Sequence, residues 1–106
     1  MSAYNHHMAS LDPDQLAAAL ADRHRRLILA MLAAAGSLCV CELVDALRVP
    51  QARVSQHLAR LRAAGLVEHE RVANRHHYRL APDLPPWACT VLRGYAAAEE
   101  ALPCTT

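Results

Sequence analysis

The chain has 106 residues, 54% of them hydrophobic, and carries a net charge of +1. This length suits one domain with a modest hydrophobic core, which a dimer would help to stabilise. The longest apolar stretch, LILAMLAAAG, is too short to span a bilayer, and no secretory signal precedes it. We therefore expect a cytoplasmic protein that does not contact membranes. Because cytoplasmic thiols stay reduced, the four cysteines indicate metal binding, reactivity or packing rather than a disulfide framework.

The charge is unevenly distributed along the chain. Residues 48–79 hold seven arginines and two acids, a local charge of +5, whereas the remainder holds four arginines and eight acids, or −4. Every basic residue is arginine, whose planar guanidinium suits phosphates and guanine edges. This basic middle is typical of a nucleic-acid-binding surface, although a solvated arginine-rich face would have the same composition.

Two helices are predicted after a flexible arm over residues 1–11. The segment LDPDQL combines an N-cap aspartate, a proline and a capping-box glutamine, and it predicts a helix from Pro13 to about Ala21. Asp22 can cap a second helix, RHRRLILAMLAAAG, which Gly36 ends in a left-handed turn.

A helix-turn-helix is predicted over residues 40–64. Apolar residues recur at helical spacing in VCELVDAL, and Pro50 separates this third helix from a fourth, QARVSQHLARLRAAG. Val54, Leu58 and Leu61 share one face of the fourth helix and predict its contact with the core.

The second half of the chain predicts a hairpin and a final helix. Residues 66–80 alternate around a turn near Asn74 and predict a two-stranded wing. A proline-rich connection leads to a last helix over residues 86–102, followed by a tail over 103–106. The order of these elements predicts a mainly α fold of about five helices with a small β-hairpin, a winged helix-turn-helix in one domain over residues 1–106.

Four segments in this order also carry a family resemblance: LADRHRRLILAML, LCVCELVDAL, VSQHLARLRAAGLVEHER and HHYRLAPDLPPWA. Through them the chain resembles the ArsR/SmtB repressors from Leu20 to Leu102, and most closely their arsenic-responsive branch. The resemblance implies a homodimer whose first and last helices form the interface. It implies a fourth helix in the major groove of operator DNA, a wing on the DNA backbone or minor groove, and release when a metal or metalloid binds.

Polar side chains that suit base edges cluster along the fourth helix, because bases present donors and acceptors in the major groove. A partner of inverted-repeat, double-stranded DNA would match a two-fold dimer. The start of the helix has proline and glutamine where the family pattern offers an N-cap serine or threonine, so which early side chain reaches a base is left open. A winged-helix module that binds only protein would have little use for so many arginines. The candidate DNA contacts are Gln51, Arg53, Ser55, Gln56, His57 and Arg60 on the helix, and Arg71, Arg75 and Arg79 on the wing.

Cys39 and Cys41 flank the start of the third helix. Cys39 stands at the predicted N-cap, with Glu42 placed to complete a capping box. The positive end of a helix dipole lowers the pKa of a thiol and increases the thiolate that binds soft ions. Residues two apart on a regular helix point about 200° away from each other. We therefore expect an ion bound by both sulfurs to distort the first turn and to shift the fourth helix relative to DNA.

Two vicinal thiolates suit trivalent arsenic or antimony, which takes three sulfurs, and no organic cofactor is expected. The resembled branch commonly has its third cysteine where this chain has Val44. Cys104 is the preferred third ligand, because a tail beyond the last helix can move toward the third helix of either subunit. Cys89 is a further candidate, although a thiol near Trp87 within a helix is more often a small core residue.

Other functions compete with metalloid sensing. A sensor of cadmium, lead or zinc could add His6 and His7 to the cysteines, although the last helix has no histidine for a zinc-type site there. A thiol-redox switch is another option, but Cys39 and Cys41 alone would close a strained ring. A metalloid carrier without a DNA role would fail to bind an operator. The sequence contains no phosphate-binding loop, His-Glu-x-x-His segment or nucleophile elbow, so we do not expect an enzyme.

Overall fold

The computed structural model describes residues 11–101, including the side chains of residues 11–99. Most of the predicted arm, the tail with Cys104, and His6 and His7 lie outside the described residues. Within the described part the order of elements is α1 (Pro13–Ala21), α2 (Arg23–Ala35), β1 (Ser37–Cys39), α3 (Val40–Leu47), α4 (Gln51–Ala63), β2 (Val67–Val72), β3 (Arg75–Leu80) and α5 (Pro86–Ala101).

Side-chain caps set the starts of the first three helices. Asp12 accepts a hydrogen bond from the backbone N–H of Asp14 in a full capping box, and Asp22 accepts one from the N–H of Arg25. Gly36 ends α2 at a φ of 89°, which a residue with a Cβ rarely adopts. The predicted bounds of α1 and the predicted caps are confirmed, because each depends on residues adjacent in the sequence.

The helix α4 starts differently. Pro50 occupies its N-cap position without a side-chain hydrogen bond, and its carbonyl accepts from the N–H groups of Arg53 and Val54 at 2.9 and 3.2 Å. Proline has a suitable φ for a helix start but offers no side-chain acceptor. The first turn of α4 is therefore held by backbone bonds alone.

Three antiparallel strands form the sheet, in the order β1-β3-β2. The hairpin β2–β3, which we call the wing, turns through Ala73 and Asn74, both at positive φ, as a type I′ turn requires. The prediction of a two-stranded sheet was incomplete: β1 adds a third strand, with Cys39 opposite His77. Its three residues are too short to show an alternating pattern, so the sequence did not reveal it.

The core surrounds α2, which contacts each of the other four described helices. Its Ile28, Leu29 and Leu32 are almost completely buried. Val54, Leu58 and Leu61 bring α4 onto this core, as their spacing predicts. The opposite face of α4 is thereby left exposed. None of the helices in residues 11–101 is both long and apolar enough to cross a membrane.

Candidate thiol site and nucleic-acid interface

The sulfur atoms of Cys39 and Cys41 are joined in a disulfide, with 5.4 Å between the two Cα atoms. This corrects the expectation from the sequence that the two side chains diverge by about 200°. Cys39 is the N-cap of α3, with an extended backbone (φ −85°, ψ 162°), so helical periodicity does not apply to it. The two sulfurs can therefore meet while the first turn stays intact.

The start of α3 is held by a reciprocal pair of hydrogen bonds. Sγ of Cys39 accepts from the N–H of Glu42 at 3.4 Å, and Oε1 of Glu42 accepts from the N–H of Cys39 at 2.8 Å. The predicted capping box is confirmed. The sulfur of Cys39 thus lies at the positive end of the helix, which favours the thiolate once the disulfide is reduced.

The two cysteines differ in their access to solvent. Cys39 is 4% exposed and belongs to the core, whereas Cys41 is exposed. Cys41 lines a shallow groove of about 310 Å³ together with Val44, Asp45 and Gln51. Because Gln51 is the first residue of α4, the groove connects the exposed sulfur directly to the start of the fourth helix.

Within the described residues, Cys89 is the remaining candidate sulfur ligand, and no contact joins it to Cys39 or Cys41. Cys89 lies half-buried on α5, with its thiol 3.9 Å from the carbonyl oxygen of Leu84. Val44 lies in the groove beside Cys41, at the position where the resembled branch has a cysteine. A third ligand is therefore not identified within residues 11–99.

Five of the six candidate contacts on α4 are exposed, and the sixth is not. His57 is only 8% exposed and faces Asp22 and His24 on α2. This corrects its prediction as a base contact. Its spacing from Val54, Leu58 and Leu61 places it on the buried face of the helix, and that periodicity was the signal available in the sequence. The exposed candidates are Gln51, Arg53, Ser55, Gln56 and Arg60.

The three arginines of the wing also differ. Arg71 and Arg75 are exposed near its tip, and neither makes an ion pair with another residue of the described range. Arg79 lies 3.3 Å from Glu68 and 3.8 Å from Glu70. These carboxylates offset its charge, so the tip of the wing is the more strongly positive part.

A cluster that the sequence analysis did not single out lies behind α4. Burial lowers the pKa of His57 from its ordinary value, against the opposing effect of the Asp22 carboxylate. The hydrogen bond from the N–H of Arg25 lowers the pKa of Asp22. Near pH 7 a neutral imidazole therefore faces an ionised carboxylate. The two residues are far apart in the sequence, and no short motif joins them.

Comparison with known proteins identifies the fold and the family. Residues 22–69 match the description "bacterial regulatory protein, arsR family". Over 90 residues the chain is 39% identical to the arsenic resistance transcriptional regulator ArsR1 of Pseudomonas putida, an alignment that covers 85% of this chain and 70% of that protein. The chain belongs to the ArsR family.

Further relatives agree with this membership. The arsenical resistance operon repressor of Escherichia coli is 42% identical over 85 residues, which cover 80% of this chain and 73% of that protein. The structure of the antimony-specific transcriptional repressor AntR superposes with a TM-score of 0.64 at 33% identity and covers 81% of this chain and 76% of that chain. The predicted winged helix-turn-helix fold and the predicted family resemblance are both confirmed. This ArsR-family chain is a transcriptional repressor rather than an enzyme, and its family binds operator DNA.

Proposed function

We propose that this ArsR-family repressor binds its operator as a cytoplasmic homodimer and releases it when trivalent arsenic or antimony binds the thiolates of Cys39 and Cys41. The observation that carries the proposal is the meeting of two sulfurs at the start of α3, beside the first residue of α4. The arsenic and antimony named in the descriptions of ArsR1 and AntR favour the same inducers.

The chemistry of the thiol pair supports a soft ligand. Reduction of the disulfide by two electrons gives two thiolates, which are the ligands that soft, thiophilic ions select. Within residues 11–99, no histidine or carboxylate cluster that could hold a metal includes Cys39 or Cys41. The third sulfur would come from Cys104, from Cys89 or from a small cellular thiol. The exposure of Cys41 leaves the site open to each of these donors.

Binding at the pair would reach the DNA-binding surface through a short path. An ion placed between the two sulfurs must separate them from bonding contact. Cys39 is anchored in the core and in β1 opposite His77, so the displacement falls mainly on the exposed Cys41. Cys41 shares its groove with Gln51, and movement there would shift the start of α4. Because Cys41 lies in the first turn of α3, this displacement would distort that turn, as is expected from the sequence.

The DNA interface of this proposal has two parts. The exposed side chains of α4 would enter the major groove, where Gln51, Arg53, Ser55, Gln56 and Arg60 suit hydrogen bonds to base edges. Arg71 and Arg75 at the tip of the wing would bind phosphates, which position the protein without specifying sequence. Arg79 would contribute less, because Glu68 and Glu70 already offset its charge.

The homodimer is supported by an apolar groove between α1 and α5. Trp87 is 40% exposed and Tyr95 is 38% exposed, although both are large aromatic side chains. Both line a groove of about 340 Å³ with Leu16, Leu20 and Val91. A second copy of the chain would bury this surface, and a two-fold dimer would present two copies of α4 to an inverted repeat.

Fluorescence anisotropy on the natural operator tests the proposed inducer. The protein is kept reduced with a phosphine, because a thiol reductant would compete for the metalloid. Trivalent arsenic and antimony are expected to release the DNA, and Cys89→Ser tests whether Cys89 supplies the third sulfur. Release by cadmium, lead or zinc alone would instead favour a divalent sensor, in which His6 and His7 of the predicted arm could take part. Failure to bind the operator would favour a metalloid carrier.

Oxidation of the same pair is a second candidate function, favoured by the close approach of the two sulfurs. Two electrons from the thiols would reduce hydrogen peroxide to two waters, or an organic hydroperoxide to an alcohol and water, as the two thiols lose two protons and form the S–S bond. In the anisotropy assay repeated after the phosphine has been removed, release by peroxide but not by trivalent arsenic would identify this function. Release by arsenic in the absence of oxygen would exclude oxidation as the signal.

A further inference from the structure

Three potential metal ligands meet behind the fourth helix. Asp22 is the N-cap of α2, His24 lies in the first turn of α2, and His57 lies in the middle of α4. One ligand atom from each residue lies within 4.8 Å of the other two. The cluster lies on the face of α4 opposite to the candidate DNA contacts and includes neither Cys39 nor Cys41.

The buried imidazole of His57 points into this cluster without a hydrogen-bond partner. His57 is 8% exposed. Among the buried side-chain nitrogen and oxygen atoms of the described residues, its Nε2 alone has no hydrogen-bond partner. Nε2 lies 4.0 Å from Oδ1 of Asp22, which is too far for a hydrogen bond. Buried polar nitrogens normally have a partner, so Nε2 is the atom of this cluster that is free to bind a ligand.

The donor set specifies the kind of ligand. Two imidazoles and one carboxylate suit Zn²⁺ and neighbouring divalent transition metals, with a fourth tetrahedral position left for water. At metal–ligand bonds of about 2.1 Å, tetrahedral ligand atoms lie about 3.4 Å apart. The observed separations of up to 4.8 Å must therefore shorten, and the half-exposed side chain of His24 has the freedom to rotate.

The hydrogen bonds of Asp22 and Arg25 leave one carboxylate oxygen of Asp22 for a cation. Oδ1 of Asp22 accepts the capping hydrogen bond from the N–H of Arg25 at 3.0 Å, which leaves Oδ2 as a metal ligand. The guanidinium of Arg25 lies 4.0 Å from Oδ2 but is held by the carbonyl oxygens of Ala18 and Ala19. Its positive charge opposes a bound cation, so we expect weaker binding than in a closed four-ligand site.

We propose that Asp22, His24 and His57 bind a divalent transition metal such as Zn²⁺ and thereby tie α4 to the start of α2. This site differs from the thiol pair in its elements and in its chemistry, because it uses nitrogen and oxygen donors. Metal binding there would fix the orientation of the DNA-binding helix from behind.

Titration of the full chain with Co²⁺ tests the site, because Co²⁺ bound to nitrogen and oxygen in a tetrahedron absorbs visible light. The chain carries Cys41→Ser, which separates the site from the thiol pair, and the absence of a sulfur-to-cobalt band in the near ultraviolet shows that thiolates do not bind. We expect one Co²⁺ per chain, displaced by Zn²⁺. His24→Ala and Asp22→Asn should each weaken binding by about tenfold or more.

The variants separate metal binding from stability. Asparagine caps a helix as well as aspartate does, so Asp22→Asn removes the metal ligand and keeps the start of α2. Circular dichroism establishes that each variant is folded. His76→Ala is the matched control, because His69 and His76 stack on the exposed wing and could bind cobalt weakly. Loss of the visible band in His76→Ala, or unchanged affinity in both cluster variants, would overturn the proposal.

Discussion

Replacement of Cys39 separates its role in the thiol pair from its role as a helix cap. In the reduced protein Cys39→Ser and Cys39→Ala both remove the sulfur, but only serine retains a side-chain acceptor. The Sγ atom accepts from the N–H of Glu42 at 3.4 Å, and a serine hydroxyl would take over this bond. We expect both variants to bind the operator and neither to release it with trivalent arsenic.

The difference in stability between the two variants follows from the cap alone. Cys39 is 4% exposed, so either replacement leaves a similar small void in the core. Loss of an N-cap acceptor typically costs about 1 kcal/mol, within a range of about 0.5–2 kcal/mol. The free energy of unfolding of Cys39→Ala should therefore lie about 1 kcal/mol below that of Cys39→Ser, roughly a fivefold change in the folding equilibrium.

Urea unfolding followed by circular dichroism measures this difference, with a phosphine reductant in every sample. Equal free energies of unfolding for the two variants would show that Cys39 does not cap α3. Normal release of Cys39→Ser by trivalent arsenic would refute the ligand role, whatever the stabilities. Loss of operator binding in Cys39→Ser would show that the sulfur is needed for the DNA-binding structure itself.

Other predictions test the remaining surfaces. Arg53→Ala should weaken operator binding and leave metalloid uptake unchanged; unaltered affinity would exclude a contact there. Arg71→Ala should reduce the slope of log affinity against log salt by about two, one for each protomer of the dimer, and Arg79→Ala by less. Tyr95→Asp should give monomers in sedimentation, because it charges the apolar groove; a persistent dimer would place the interface elsewhere. Because burial lowers the pKa of His57, chelator-treated protein should lose stability as pH falls below the ordinary histidine value of 6.5, and His57→Gln should lose less. If the urea midpoints of the native chain and of His57→Gln fell equally as the pH is lowered, this prediction would be contradicted.

The features predicted correctly were those set by adjacent residues. The caps of α1, α2 and α3, the turn at Ala73 and Asn74, and the apolar face of α4 each follow from a short segment. Such local preferences agree with the tertiary structure here, so the winged fold could be predicted from the sequence.

The errors arose from treating a cap residue as helical and from assigning a side chain by its chemistry rather than by its spacing. Cys39 was treated as helical, but the cap residue has an extended backbone, which brings its sulfur to that of Cys41. His57 was assigned to the surface by its chemistry, although its spacing placed it in the core. Its partners Asp22 and His24 come from another helix, and tertiary contacts of this kind leave no local signal.

The central claim is that occupation of Cys39 and Cys41 by trivalent arsenic releases the operator. The most direct test is an anisotropy titration of the operator-bound, phosphine-reduced chain with arsenite, beside the Cys41→Ser variant. We expect the native chain to leave the DNA and Cys41→Ser to remain bound at the same arsenite concentrations. A native chain that stays bound while its thiols are shown to be reduced, or equal release of both proteins, would contradict the claim.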